Sequence, residues 1–213
     1  TRAFRWHTGD IERVQWHNSD RPLAYDLSPY EETLLIDVDY LTFNSQLKDY
    51  FGGNHEFLCY DRVWDVTHTD SMKNDATMTS AGHPMLWATV VYFRKCELAH
   101  RIFEMMKNIQ TTWYYQSKFW GFSSRNYRND FSLTLAHQLM QGYQQGTTFN
   151  HPLPSLSTMD TIYKVKDSEL LIKYMYNGSD NAVRIKDTNL HVMNKACLMD
   201  PEIRGELERY ANV

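Results

Sequence analysis

The chain lacks several features that would assign it quickly to a class of protein. Its 213 residues include three cysteines, an odd and widely spaced number that argues against a disulfide framework or a cysteine zinc site. The longest nearly apolar run, Met85–Phe93, is about half of what a membrane-spanning helix needs. No secretory signal opens the chain. These absences predict a protein with no membrane span, working in a reducing, cytoplasmic setting.

An excess of positive charge is also missing. The 22 lysines and arginines are outnumbered by 26 aspartates and glutamates, and the net charge of −4 gives no footprint of a protein that holds nucleic acid mainly through its phosphates. Apolar residues make up 42% and charged residues 23%, which excludes a disordered or fibrous class. The length suits one well-buried α/β domain or two very small ones, and one domain is the more common arrangement at this length. We therefore expect residues 1–213 to form a single domain.

Aromatic residues are the one unusually abundant class, at 14% of the chain. Their rings could line a sugar or base site, but aromatic side chains are also efficient core fillers. A dense group lies between residues 113 and 122 and contains Trp113, Tyr114, Tyr115, Phe119 and Trp120. We expect these rings to fill the core and assign them no functional role.

Hydrophobic patterning predicts strands and helices along most of the chain. Apolar runs predict strands at 32–37, 56–60, 84–93, 159–165 and 170–176. Helical spacing of apolar residues predicts helices at 44–50, 96–109, 130–142 and 201–210. Residues 1–30 are interpreted as loop with one short helix, and residues 61–82 as a long polar loop. The pattern is typical of an α/β fold with a mixed, mainly parallel sheet flanked by helices.

A pair of carboxylates follows the first predicted strand. The run Leu34-Leu35-Ile36 leads directly into Asp37-Val38-Asp39. In open α/β sheets ligands bind at the carboxyl ends of the strands, so the pair is in a functional position. Two hard oxygen donors at this spacing can hold one divalent cation such as Mg²⁺ or Mn²⁺. The alternative is that the two aspartates only cap a loop at the end of the strand.

The order of the later features resembles the GT-A type of nucleotide-sugar-dependent glycosyltransferase. The Asp37-Val38-Asp39 motif is followed by the strand at Trp87–Phe93, by Asn129-Asp130 at a helix start, and by His191 late in the chain. The resemblance covers residues 30–198. It implies that the N-terminal part of the nucleotide-binding region lies upstream of Thr1. It also implies a GT-A-like fold with Asp37 and Asp39 facing the donor diphosphate.

The segment Asn189–Lys195 is similar to the C-terminal element of the glycogenin-like members of this group. The resemblance implies that His191 completes the metal site with Asp37 and Asp39, and that Lys195 and Asp37 contact the donor. It further implies that Asp130 is catalytic, either as the general base of an inverting enzyme or as a residue that orients the sugar or acceptor in a retaining one. Asp130 is also a suitable helix N-cap.

The resemblance implies a metal-dependent enzyme that moves a sugar from a nucleoside-diphosphate sugar, with a UDP-sugar as the expected donor, to an acceptor hydroxyl. A glycan, a protein and a modified nucleobase are all open as acceptors. Two other functions fit parts of the sequence. A phosphatase of the haloacid dehalogenase type also begins with a strand and an Asp-x-Asp pair, although Leu41 stands where that group usually has Thr or Val. A non-catalytic module that binds carbohydrate or nucleotide would use the same carboxylates only structurally.

Overall fold

The computed structural model describes residues 3–6, 13–16, 18–69, 77–122, 126–142 and 148–211, and it is a mixed α/β structure. The strands are β1 (Ala3–Trp6), β2 (Arg13–Trp16), β3 (Glu32–Ile36), β4 (Tyr40–Leu41), β5 (Phe57–Tyr60), β6 (Val63–Asp65), β7 (Trp87–Arg94), β8 (Leu153–Leu156), β9 (Thr161–Lys166), β10 (Glu169–Tyr176), β11 (Ser179–Lys186) and β12 (Leu190–Val192). The α-helices are α1 (Ala24–Leu27), α2 (Glu97–Thr111), α3 (Trp113–Phe119), α4 (Asn129–Met140) and α5 (Pro201–Ala211). Short 3-10 helices cover Arg21–Leu23, Gln46–Tyr50 and Lys195–Met199. No described helix is long and apolar enough to cross a membrane.

The chain groups into two compact units whose segments alternate along the sequence. The first unit is Thr1–Leu35, Asn54–Asp61 and Asp75–Phe149, and the second is Ile36–Gly53, Arg62–Asn74 and Asn150–Val213. The expectation that residues 1–213 act as one catalytic domain stays a prediction.

The core of the first unit forms between a sheet and two helices. The sheet has the strand order β3-β7-β5, and β5 and β7 run antiparallel. The interior of β7 is buried, as its β-branched and aromatic composition predicts. Helix α2 begins after Cys96, whose sulfur accepts a hydrogen bond from the Ala99 amide, and its apolar stripe joins the same hydrophobic cluster as β7 and α4.

The second unit contains two sheets. One has the order β4-β12-β8-β6, in which β8 pairs parallel to both β12 and β6 while β4 runs antiparallel to β12. The other is an antiparallel sheet of β9, β10 and β11. Ile162 and Ile172 of this second sheet share a buried cluster with Leu190, Val192 and Ile203. In the four-stranded sheet, β12 is the last of the described strands in sequence, and it lies between β4 and β8.

The structure corrects several sequence-based expectations of the fold. The sheets are mixed, but parallel pairing among the described ladders is confined to β8 with its two neighbours and the bridge between Cys59 and Thr148, so the expected parallel majority is not found. Strand β3 is a half-buried edge strand and is not covered on both faces. The segment 1–30, expected to be loop with one short helix, contains the short helix α1 and also the antiparallel pair β1–β2, which was not expected. The expected loop 61–82 contains β6, and its residues 70–76 lie outside the described residues.

The predicted strands at 159–165 and 170–176 and helices at 96–109, 130–142 and 201–210 are confirmed with small shifts at their ends. The predicted helix at 44–50 is a 3-10 helix. The three cysteines carry free thiols, in agreement with the absence of a disulfide framework in the sequence.

Candidate metal and donor site

The two aspartates of the Asp-x-Asp motif lie in a tight turn between β3 and β4. The Tyr40 amide donates to the Asp37 carbonyl over 3.1 Å, which closes the turn. Val38 at the tip is fully exposed, whereas Asp39 is buried. The alternation of exposed and buried positions therefore turns the Asp39 carboxylate inward, toward the strand that pairs with β4.

That neighbouring strand is β12, and it brings His191 to the aspartates. Tyr40 pairs with His191, and the Val192 amide donates to the Asp39 carbonyl over 2.9 Å. His191 Nε2 lies 3.9 Å from Asp39 Oδ2. Ligand atoms of Asp37, Asp39 and His191 all lie within 4.8 Å of one another. A separation of about 150 residues in sequence is thus closed by one antiparallel ladder.

Lys195 joins the same carboxylate from the 3-10 helix that follows β12. Its Nζ lies 2.8 Å from Asp39 Oδ2, and the Lys195 side chain as a whole is 70% exposed to solvent. The other oxygen, Asp39 Oδ1, is buried and has no hydrogen-bond donor among the described residues. A buried carboxylate oxygen without a donor is costly, because it has lost its water and gained nothing in exchange. A cation bound at this oxygen would remove that cost.

The residue types fit a divalent cation. Two carboxylates provide hard oxygen donors of the kind that Mg²⁺ and Mn²⁺ prefer, and a neutral imidazole nitrogen is a common additional ligand. His191 Nδ1 lies 3.5 Å from Ser155 Oγ. A proton on Nδ1 facing this hydroxyl leaves Nε2, the nitrogen toward Asp39, with its lone pair available for a metal.

Ser155 was not foreseen from the sequence. It belongs to a row of directly paired residues that crosses the sheet in the order Tyr40, His191, Ser155 and Asp65. In β12, β8 and β6 the polar member of the row is flanked by apolar neighbours, since side chains alternate between the two faces of a strand. The sequence feature that could have identified this row is a polar residue between two apolar residues. It occurs three times, in Leu190–Val192, Pro154–Leu156 and Trp64–Val66.

Asp65, at the end of this row, is held by the loop that follows it. Its two carboxylate oxygens accept hydrogen bonds from the backbone amides and hydroxyls of Thr67 and Thr69 over 2.9 to 3.1 Å. The Thr67 hydroxyl is also 3.2 Å from Asp160 Oδ2. Burial raises the pKa of the Asp160 carboxyl above its ordinary value, and the nearby charge of Asp65 adds to the effect. These four hydrogen bonds give Asp65 a structural role, because they hold the loop that contains Thr67 and Thr69 against the end of β6.

Asp130 lies in the first unit, in the first turn of α4. Its Oδ1 accepts a hydrogen bond of 2.9 Å from the Ala88 amide of β7, and its Oδ2 is 2.8 Å from the Arg128 guanidinium. The N-cap position belongs to Arg128, and Asp130 makes no capping bond, so the cap alternative for Asp130 is wrong. The carboxylate ties α4 to β7. Its role at the acceptor stays a prediction.

The aromatic group between residues 113 and 122 divides between interior and surface. Trp113 is buried and stacks on Phe131 at a centroid distance of 5.7 Å. Tyr114, Tyr115 and Phe119 are exposed, so the expectation that these rings fill the core is wrong for them. The cause is the short α3 helix, which has one buried side and sends these three rings outward.

Asp37, Asp39, His191 and Lys195 are thus brought together within the second unit, and their roles as metal and donor ligands stay predictions. No family model, curated protein or solved structure matches the chain.

Proposed function

We propose that the chain is a metal-dependent glycosyltransferase of the GT-A type. It would move a sugar from a nucleoside-diphosphate sugar, with a UDP-sugar as the first donor to test, to an acceptor hydroxyl. The observation that carries the proposal is the buried oxygen Asp39 Oδ1, which lacks a donor among the described residues while Asp37 and His191 stand beside it. The free thiols support a reducing, cytoplasmic setting for the enzyme.

The three grouped side chains would hold Mn²⁺ or Mg²⁺ through Asp37, Asp39 and His191. Bound there, the cation would neutralise the negative charge that grows on the diphosphate as the sugar leaves. His191 would contribute as a neutral ligand, and the Ser155 hydroxyl beside Nδ1 can accept the proton of the tautomer that this requires.

Lys195 supplies a mobile positive charge at the same place. Its ammonium is 2.8 Å from Asp39 in the structure, and its stem is largely exposed. An exposed, flexible stem would let the ammonium turn from the carboxylate to an incoming diphosphate once a cation balances the charge of Asp39. Lys195 would therefore stabilise the leaving diphosphate electrostatically.

Asp130 is the proposed residue at the acceptor side. A carboxylate that already accepts from the Ala88 amide and from Arg128 is held in one orientation by both partners. In an inverting enzyme it would take the proton of the acceptor hydroxyl, and in a retaining enzyme it would orient the sugar. A glycan, a protein or a modified nucleobase could provide that hydroxyl.

The proposal can be tested by hydrolysis of a panel of nucleotide-sugars with Mn²⁺, with Mg²⁺ and with EDTA. Glycosyltransferases of this kind transfer the sugar slowly to water when the acceptor is absent, so we expect one donor to release its nucleoside diphosphate only when metal is present. The matched variants are Asp39→Asn and Asp49→Asn, because Asp49 is an exposed aspartate of the same unit. Only the first should lose activity.

The other functions give different results in the same assay. Release of phosphate from simple monoesters would support a phosphatase. Tight binding of a sugar or nucleotide without turnover would support a binding module. Release of nucleoside diphosphate that is unaffected by EDTA and by Asp39→Asn would refute the metal site.

A further inference from the structure

Three aromatic rings project from one short helix into solvent. Tyr114, Tyr115 and Phe119 of α3 are 63%, 71% and 78% exposed, and we call them the α3 aromatic surface. Exposed single apolar residues are ordinary, but contiguous groups on a protein surface mark interaction sites. Neither the proposed metal site nor the core uses these rings.

Contacts at both ends of α3 hold the helix that carries the rings in place. Trp113 is buried at its start, and Trp120 at its end donates through Nε1 to Gln116 Oε1 over 3.1 Å. The Ser80 amide donates to the Trp120 carbonyl over 3.1 Å. Gly121, with φ of 71°, lies so close to Ser80 that a Cβ there would be 2.3 Å from its hydroxyl oxygen. The rings are therefore presented on a fixed base and need little ordering to bind a ligand.

The size of the surface argues against a protein partner as its main occupant. With roughly 200 Å² per aromatic side chain, the exposed part of the three rings amounts to roughly 400 Å². A stable interface between two proteins buries about 800 Å² on each partner. The α3 aromatic surface is about half of that, a size that suits a chain of a few small units.

The chemistry of the surface combines flat apolar faces with polar edges. Tyr115 and Phe119 are four residues apart and so lie on one side of α3, with Cβ atoms roughly 5–6 Å apart. That spacing is comparable to one unit of an extended sugar chain. The Tyr114 ring stands nearly perpendicular to Tyr115 at 5.3 Å, and the Lys118 ammonium is 2.6 Å from the Tyr114 hydroxyl. Sugars present C–H faces that stack on rings and hydroxyls that bond to such polar edges.

We propose that the α3 aromatic surface binds a carbohydrate chain. The choice of a carbohydrate rests on the proposed glycosyltransferase function, whereas the presence of a binding surface rests on the exposed rings alone. Tyr115 and Phe119 would each stack on one sugar unit, and Tyr114 with Lys118 would bond to hydroxyls at the edge.

The test uses the full chain and tetrasaccharides of glucose, mannose, galactose and N-acetylglucosamine, first on a glycan array and then by calorimetry with the best binder. The test variant is the double substitution Tyr115→Ser with Phe119→Ser, and the control is Tyr30→Ser, which removes a ring that is 68% exposed elsewhere in the same unit. All positions are exposed, so thermal unfolding should be unchanged in both variants. We expect the double variant to bind at least tenfold more weakly and the control to bind like the wild type.

Donor hydrolysis in the same proteins separates this inference from the proposed function. If the wild type hydrolyses a nucleotide-sugar but binds none of the tetrasaccharides, the inference is overturned and the proposed function stands. If it binds a tetrasaccharide through these rings but hydrolyses no donor, the surface is real and the transferase proposal fails. Equal binding by wild type and double variant, or loss of a dimer as the main effect of the double substitution in sedimentation, would also overturn the inference.

Discussion

His137 should make the folded protein sensitive to mild acid. It lies in α4, is 1% exposed, and has the Phe57 ring at a centroid distance of 5.7 Å. Neither of its ring nitrogens has a hydrogen-bond partner among the described residues. Burial lowers the pKa of His137 from its ordinary value of 6.5 to about 4, because the charged imidazolium would lose its hydration.

The lowered pKa fixes the sign and the size of the effect. Between pH 6.5 and about 4 the unfolded chain binds a proton at His137 and the folded chain does not, so acid favours unfolding in this window. One pKa unit corresponds to about 1.4 kcal/mol, so full protonation lowers the free energy of unfolding by roughly 3 kcal/mol. That is a large part of the 5–15 kcal/mol that typically stabilises a folded domain.

Urea unfolding followed by circular dichroism, at intervals from pH 7 to pH 4, measures this contribution. The variant His137→Leu cannot titrate and no longer buries an unpartnered ring, so it should be more stable than the wild type at pH 7 by about 1–3 kcal/mol. Its advantage should grow by roughly 3 kcal/mol at pH 4. The control is His100→Leu, because His100 lies on the half-exposed side of α2.

The quantity to compare is the difference in the free energy of unfolding between wild type and His137→Leu at each pH. The carboxylates titrate equally in both proteins, so they cancel in this difference. A difference that stays constant from pH 7 to pH 4 would show that His137 is not held neutral by burial. A pH-dependent difference for His100→Leu of the same size would assign the effect to histidine removal in general.

Three further predictions concern the proposed site. Asp39→Ala should abolish metal-dependent donor binding in calorimetry and leave the fold intact, whereas Asp49→Ala should change neither. His191→Ala should weaken Mn²⁺ and donor binding together, but Lys195→Ala should weaken donor binding more than Mn²⁺ binding, because its ammonium would face phosphate and not cation. Asp130→Asn should lower the rate of transfer by two or more orders of magnitude with donor affinity unchanged, the range of lost general-base help, since an amide oxygen can still accept from the strand amide.

Each of these three predictions would be contradicted by a specific result. Unchanged Mn²⁺ and donor affinity in Asp39→Ala would return the aspartates to a purely structural role. Equal effects of His191→Ala and Lys195→Ala on Mn²⁺ and donor would contradict the division of roles between them. A variant Asp130→Asn that unfolds at a lower temperature but keeps near-normal turnover would show that the carboxylate only ties α4 to β7.

Residue order predicted the candidate site better than it predicted the sheet. Asp37, Asp39, His191 and Lys195 were grouped by a resemblance that depends on motif order, and the structure brings their side chains together. Their pairing through β4 and β12 could not be foreseen, because strands of two or three residues carry too little alternation to recognise. The direction of strand pairing was likewise invisible, since it depends on contacts between distant segments.

Helices were predicted where an apolar stripe was long. The spacing of Leu98, Ile102, Phe103, Met105 and Met106 marked α2, which the structure extends over Glu97–Thr111. The exposure of the α3 rings could not be read from their composition, because an aromatic residue looks the same in sequence whether a core covers it or solvent does. Burial is decided by packing partners from other parts of the chain, and a single local stretch does not contain them.

The place of β12 inside its sheet has a consequence for how the protein is made. Strands β4 and β8 leave the ribosome before β12, the strand that pairs with both of them, so the sheet β4-β12-β8-β6 cannot close until residues 190–192 have emerged. At about 5–20 residues per second, the 151 residues between Asp39 and His191 take on the order of 10–30 s to synthesise. During that interval the unpaired edge of β4 is open to wrong partners, and the edge of β8 joins it once residues 153–156 have been made. A nascent chain stalled before residue 190 should therefore be a ready client for chaperones, and release of a few more residues should end that dependence.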